Sequence, residues 1–352
     1  MKSYDLCECG APLRLIERPT PKPAGTEVLL KVIAAGVCHS DLHISDGYYD
    51  LGGGKRLKLA DRGVKLPLTM GHENVGEVVA IGPNAKGVKV GDRRLVHPWL
   101  GCGECAICRR GDEQLCRTPF SIGVFRAGGY ADHLLVPHPR YLFDIGNVAP
   151  EKAAPLACSG ITSYGALKKV GAVLQEQPVV IIGGGGLGLM CLALHKAMGG
   201  KAAIVVDIDP VKREAARKAG AKAVIDGNAP DAAKQIIAGT DGGAWAIIDL
   251  VGASRTVQLA LDSLVKGGKL VVVGLFGGDI TLPTPSLPLR AITLQGSYVG
   301  SLTEMAELLD LVRRKGAPDL PVATRPLAAV NDALNDLKTG KVIGRVVLTP
   351  AE

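Results

Sequence analysis

The stretch VVIIGGGGLGLM, positions 179–190, constrains this chain more tightly than any other. An unbroken apolar run meets a cluster of glycines, and an apolar helical pattern starts directly after it. Gly183, Gly185 and Gly188 stand in the spacing G-x-G-x-x-G, with Gly186 and Leu187 completing the turn. Each glycine answers a separate steric demand. The first allows a tight turn out of a strand, the second lets a pyrophosphate approach the backbone, and the third lets helix and strand pack closely. The next apolar run ends at Asp207, 19 residues beyond Gly188, where a carboxylate accepts hydrogen bonds from the hydroxyls of an adenosine ribose. Asp207, with Asp209 close by, also repels a 2′-phosphate, so NAD is expected rather than NADP.

From about residue 160 the alternation of continuous apolar strands with amphipathic helices repeats through WAIIDLVG and GKLVVVGLFG, the pattern of a doubly wound parallel sheet of Rossmann type. The earlier residues read differently. TEVLLKVIAAGV, NVGEVVAIG, GDRRLVHPW and YADHLLVP alternate short β-branched runs with turns, which predicts an antiparallel, partly barrel-like domain. SLTEMAELLDLVRRKG and AVNDALNDLKTG have helical period, and KVIGRVVLTP reads as a final strand. The expected fold class is therefore α/β plus mainly β. The expected division is a catalytic domain over 1–159, a dinucleotide-binding domain over 160–297, and a segment 298–352 that returns to the first domain across a cleft.

Composition excludes several function classes. The charge of +7 comes from 41 Lys and Arg against 34 Asp and Glu, but the basic residues are scattered and aromatics make up only 4%. A nucleic-acid surface needs a focused basic stripe with stacking rings, so no nucleic-acid partner is expected. No apolar window approaches the length of a membrane span, and MKSYDLCECG lacks the apolar core of a signal peptide, so a cytoplasmic protein with no membrane partner is expected. Nine cysteines, an odd number, in such a chain argue for metal binding or catalysis rather than a disulfide framework.

Four of them, Cys102, Cys105, Cys108 and Cys116, fall in GCGECAICRRGDEQLC, within a lobe at about 98–120. Four thiolates this close in sequence close a tetrahedral zinc site with no open position, which makes it structural. The last gap of seven residues does not fit the common iron–sulfur runs. A zinc ribbon for nucleic acid leaves the glycine motif unexplained. A second constellation starts at GVCHSDLH, where Cys38 is followed by His39, Ser40, Asp41 and His43. His72 in GHENVG and Cys158 in ACSGIT can join Cys38. Two thiolates and one imidazole leave the fourth zinc position to water or substrate, as a catalytic site requires.

In this order GVCHSDLH, the GHExxG element of Gly71, His72, Glu73 and Gly76 with Gly82 beyond, the four-cysteine lobe, CSGITSYGAL, and GGGGLG followed by Asp207 resemble the zinc-dependent medium-chain alcohol dehydrogenases of the shorter microbial type. The resemblance spans essentially the whole chain and implies a GroES-like catalytic domain, NAD and two zinc ions per subunit. By it, Cys38, His72 and Cys158 are the catalytic zinc ligands, and Glu73 lies behind the metal and can transiently ligate it. Ser40 hydrogen-bonds the substrate oxygen, His43 ends a proton relay through the nicotinamide ribose, and Asp41 orients the His72 imidazole. His39 and Arg345 contact the cofactor pyrophosphate, Thr162 lies near the nicotinamide and Lys212 beside the adenosine ribose. Tyr49, Trp99 and Phe120 or Ser121 line the substrate pocket.

The implied activity is reversible oxidation of primary or secondary alcohols to aldehydes or ketones, with a small-molecule alcohol or carbonyl as partner. A glutathione-independent formaldehyde dehydrogenase or an aromatic-alcohol dehydrogenase remains open, as does a non-catalytic sensor binding zinc and dinucleotide. A homotetramer, or a dimer, is implied as well, with GGDITLPTPSLPLRAITLQGSYVG supplying an edge strand between two subunits. Between Cys38 and His72 lie 33 residues, a wider gap than in the animal-type members, which suggests a different substrate gate or a subunit contact. Of the other histidines, His97, His133, His138 and His195 read as surface or satisfied core residues, and Cys7, Cys9 and Cys191 match nothing catalytic.

Overall fold

The computed structural model describes residues 1–350. Six strands, Pro178–Ile182, Ala202–Asp207, Ala223–Asp226, Ala244–Asp249, Leu264–Val272 and Thr293–Gly296, form one sheet in which every neighbouring pair is parallel. Counted along the chain their spatial order is 3-2-1-4-5-6, so the winding reverses beside Pro178–Ile182. The crevice at the strand ends there is where such sheets take ligands. The apolar runs need no alternation because helices cover the sheet, and Val179, Val180, Ile181 and Ile182 are all buried. Each such side chain contributes about 1.5–3 kcal/mol relative to exposure. Gly183 turns the chain at φ +102°, and a Cβ on Gly188 would collide with the Gly183 carbonyl, so the third glycine is a packing requirement.

The second large sheet runs in the order Leu142–Asp144, Arg93–Val96, Glu73–Ile81, Val28–Val37, Arg345–Thr349, Val322–Pro326, with His133–Val136 also paired to Val28–Val37. It is antiparallel except where Val322–Pro326 meets Arg345–Thr349. A smaller sheet joins Lys2–Leu6 to Arg14–Glu17 and Leu68–Thr69. These sheets stay open rather than closing into a barrel. Pairing of Val346 with Val37 ties the last strand to the strand that leads into Cys38. No helix among the described residues is long and apolar enough to cross a membrane.

His97 and His195 differ from the satisfied-core reading. Both are buried, yet neither ring has a hydrogen-bond partner, and burial pushes His97 down to about 3 and His195 to about 4. Both rings are therefore neutral packing groups at neutral pH.

Candidate active site

Three chain segments deliver the donors. Cys38 ends the Val28–Val37 strand and caps the helix His39–Asp46, His72 directly precedes the Glu73–Ile81 strand, and Cys158 caps the helix Ser159–Val170. The Cys38 and Cys158 sulfurs stand 3.8 Å apart. Two thiolates on one tetrahedral zinc at about 2.3 Å each would be separated by roughly 3.8 Å. Ligand atoms of Cys38, His72, Glu73 and Cys158 all lie within 4.8 Å of one another. His72 Nε2 is buried without a partner, while its Nδ1 faces Asp41 Oδ1 at 3.1 Å. That leaves one imidazole lone pair free beside two sulfurs, a donor set that fits zinc.

Local sequence explains the precision. Asp41 sits at the third position of its helix, and its Oδ2 accepts the Cys38 amide at 3.0 Å. One carboxylate therefore closes the helix start and holds the imidazole. Burial alone would lower His72, but Asp41 and Cys38 hold it well above the usual imidazole value, so a metal ion would take the Nε2 lone pair in exchange for a proton. Of the two thiols, Cys38 is held low by the hydrogen bond from Cys158, with His72 and Arg345 alongside. Glu73 is wholly buried, and burial pushes its carboxyl up to about 7 against the pull of Arg345, with which it forms a buried ion pair. Its other oxygen accepts the Ser159 amide at 3.3 Å.

Several of the residues expected to bind the dinucleotide lie around the glycine turn. Asp207 Oδ2 accepts the Gly184 amide at 2.6 Å and its Oδ1 accepts the Asp209 amide at 2.9 Å, which fixes the carboxylate at the glycine turn. The Lys212 ammonium lies 3.9 Å from Asp209. A Cβ on Gly185 would meet open space, whereas one on Gly186 would collide with the Gly344 carbonyl and come within 2.9 Å of Arg345 Cδ. The open side of Gly185, at the start of the 12-residue helix Gly186–Ala197, can admit an anionic pyrophosphate. Thr162 Oγ1 is a second orphan, buried without a partner. Arg345 joins the two halves, its stem against the glycine turn and its guanidinium on Glu73. His39 is exposed at the first position of its helix.

Ser40 and His43, three residues apart on one helix, share a face. The His43 ring lies 5.0 Å from the Tyr49 ring, and Trp99 lies 5.4 Å from the His72 ring with its indole donating to the Ala157 carbonyl at 3.1 Å. Tyr298, which sequence reading missed, packs edge-on against Trp99 at 5.9 Å. Its neighbour Val299 has φ +39°, a strained conformation for a β-branched residue at this end of the sheet. Ser121 is buried. Phe120 is 44% exposed and lines a cavity of about 280 Å³ with Cys102 and Arg140 beside the cysteine lobe. The wide gap before His72 holds a hairpin, Tyr48–Asp50 with Arg56–Lys58. Close glycine contacts seat it on the other side of the cleft, Gly52 against Asp279 and Gly277 against Asp50.

The four-cysteine lobe forms its own cluster. Cys102 and Cys108 are 3.8 Å apart, Cys105 and Cys108 3.4 Å, and Cys105 and Cys116 3.9 Å. No donor position is left to a substrate, as a structural zinc site requires. Glu113 braces the lobe, accepting the Tyr141 hydroxyl at 2.8 Å and Arg140 at 3.2 Å.

A doubly wound sheet, a three-donor metal centre at its crevice and a closed four-thiolate lobe define the zinc-binding dehydrogenase class. The sequence pattern of the alcohol dehydrogenase GroES-like domain matches residues 24–147, and that of the zinc-binding dehydrogenases matches residues 186–314. The chain is 40% identical over 351 residues to the NAD-dependent alcohol dehydrogenase of Sulfurisphaera tokodaii, covering 99% of this chain and 100% of that one. It is 33% identical to the D-arabinose 1-dehydrogenase (NADP(+)) of Saccharolobus solfataricus, with 99% and 97% covered. The crystal structure of the alcohol dehydrogenase from Aeropyrum pernix superposes with a TM-score of 0.89 at 33% identity, covering 99% of this chain and 100% of that one. This chain belongs to the zinc-dependent medium-chain alcohol dehydrogenase family.

Proposed function

We propose that the protein catalyses reversible NAD-dependent oxidation of primary or secondary alcohols. The observation that carries this reading is the orphaned His72 Nε2 aimed between two thiols, beside the crevice that Gly185 leaves open. Cys38, His72 and Cys158 would hold a zinc ion, which when bound supplies Lewis-acid polarisation of the substrate oxygen. Ser40 Oγ receives the substrate proton, and His43, part-exposed one turn further on, carries it towards solvent. Trp99, Tyr49 and Tyr298 give the pocket aromatic walls that exclude water. Glu73, paired with Arg345, stands behind the ligands as a reserve donor. Thr162 and Asp207 would hold NAD together with Gly183, Gly185 and Gly188. The cysteine lobe holds the second zinc.

With the division taken at 159/160 and 297/298, these residues would stand on both walls of one cleft. Six of the nine cysteines serve the two donor clusters and all nine are free thiols, a usage that suits the cytoplasm. The outer strand Thr293–Gly296 ends the parallel sheet, and Phe276 and Leu289 are 73% and 74% exposed nearby in sequence. A second copy pairing there gives a dimer as the unit of a homotetramer. Sedimentation should show no monomer at micromolar concentration, and a monomer contradicts this assembly.

Initial rates over aliphatic, cyclic and benzylic alcohols, formaldehyde and aldoses, with both cofactors, test the function. NAD-linked oxidation of at least one alcohol is expected, and silence across the panel with a fully zinc-loaded chain contradicts it. In the same assay Asp207→Gly with Ile208→Arg should raise relative NADP use, because the repelling carboxylate is replaced by a guanidinium. An unchanged preference removes Asp207 from the cofactor site.

A further inference from the structure

We infer that Tyr130 is a positioning residue for the metal centre: its phenol fixes the Asp41 carboxylate that orients His72. The inference rests on the reading that Cys38, His72 and Cys158 hold zinc. Tyr130 donates from its hydroxyl to Asp41 Oδ2 at 2.7 Å. The same oxygen accepts the Cys38 amide, and Oδ1 is left to His72 Nδ1. Two donors on one oxygen stop the carboxylate from rotating, so the imidazole keeps Nε2 facing the sulfurs. Asp41, His72 and Tyr130 are all wholly buried, which leaves the phenol as the donor that answers the far side of a carboxylate out of reach of bulk water.

The ring is pinned by the very segment that carries His72. Gly71 has φ +93°, and a Cβ there would stand 2.5 Å from Tyr130 Cδ1. The Tyr130 amide donates to the Met70 carbonyl at 2.9 Å, and its own carbonyl accepts from Tyr4 at 2.8 Å. The phenol thus has a fixed origin two residues from a metal ligand. A second acceptor, the Gly36 carbonyl, lies at 3.4 Å, too far to compete with 2.7 Å. Phenylalanine would keep the ring and its packing and lose only the donor.

The test is zinc release from full-length, zinc-loaded protein to a chromogenic chelator, with the cysteine lobe as an internal control. Tyr130→Phe should speed release from the Cys38 centre about three- to tenfold, less than the 10–100-fold typical of a partner touching the ligand itself. The lobe phase should stay at its wild-type rate, and the melting temperature should drop by only a few degrees, the cost of one buried hydrogen bond. Asp41→Asn should move the same phase further, and the double variant should release no faster than Asp41→Asn alone, because Tyr130 acts through Asp41. Should Asp41→Asn fail to fold, the Co(II)-substituted protein gives the second reading: Tyr130→Phe should shift the visible bands of the Cys38 centre. Wild-type release with unshifted bands, acceleration of both phases together, or effects that multiply in the double variant would overturn the inference. If the wild-type chain itself holds only the lobe zinc, the proposed metal centre fails first and this inference falls with it, which metal content reports before any variant is compared.

Discussion

Cys38→Ser should cut NAD-linked alcohol oxidation by roughly 10³-fold or more, because polarisation by a bound metal is worth several kcal/mol of transition-state stabilisation and each 1.36 kcal/mol is tenfold. The hydroxyl is close to the thiol in shape but is a poor zinc donor, and it removes one of the two sulfurs that stand 3.8 Å apart. The Asp41 carboxylate should still cap the helix through the residue 38 amide, so the fold around the site should survive. The zinc content should fall from two to one per chain, with the remaining ion in the cysteine lobe. The checks are elemental analysis and kcat/KM on the same preparation. A Cys38→Ser protein that keeps both zinc ions and near-native turnover would remove Cys38 from the centre.

Ser40→Ala should lower kcat by about 10²- to 10⁴-fold, the range of a positioned general acid–base group, with little change in zinc content or NAD affinity. The separation of effects follows from the geometry. Cys38 precedes the helix and Ser40 lies on its first turn, so the serine can be trimmed without touching a donor to the metal. Ser40→Thr keeps the hydroxyl and should retain much of the activity. Steady-state rates with a fixed alcohol, together with NAD titration by fluorescence, distinguish a lost proton acceptor from a lost cofactor site. Equal losses in the alanine and threonine variants would point to packing instead.

The sequence made the cofactor crevice and both donor sets legible because each is encoded by short spacings: glycines around one turn, four cysteines within one lobe, and Cys38, His72 and Cys158 each in its own motif. What escaped it depends on pairs distant along the chain. Arg345 is expected from the resemblance to contact the pyrophosphate, and its guanidinium also meets Glu73 across 272 positions, a relation no local period encodes. Tyr298 follows a polar edge strand and carries no motif, and only the fold brings its ring to Trp99. Tyr130 opens YADHLLVP, whose pattern signals a strand but no partner for the phenol, and its link to Asp41 follows from pairing with Met70. Phe120, which the resemblance puts with Ser121 as alternatives at the substrate pocket, is 44% exposed and lines a cavity with Cys102 and Arg140. The antiparallel, partly barrel-like reading of the first domain stands with sheets that stay open, since strand alternation reports which face is buried and not whether a sheet closes.

Anomalous scattering at the zinc absorption edge, from crystals of the zinc-loaded protein, measures the central claim most directly. The account predicts two peaks per chain, one bounded by Cys38 Sγ, Cys158 Sγ and His72 Nε2, the other inside the ring of Cys102, Cys105, Cys108 and Cys116. A map with density in the lobe alone, and none between Cys38 and Cys158, would contradict it.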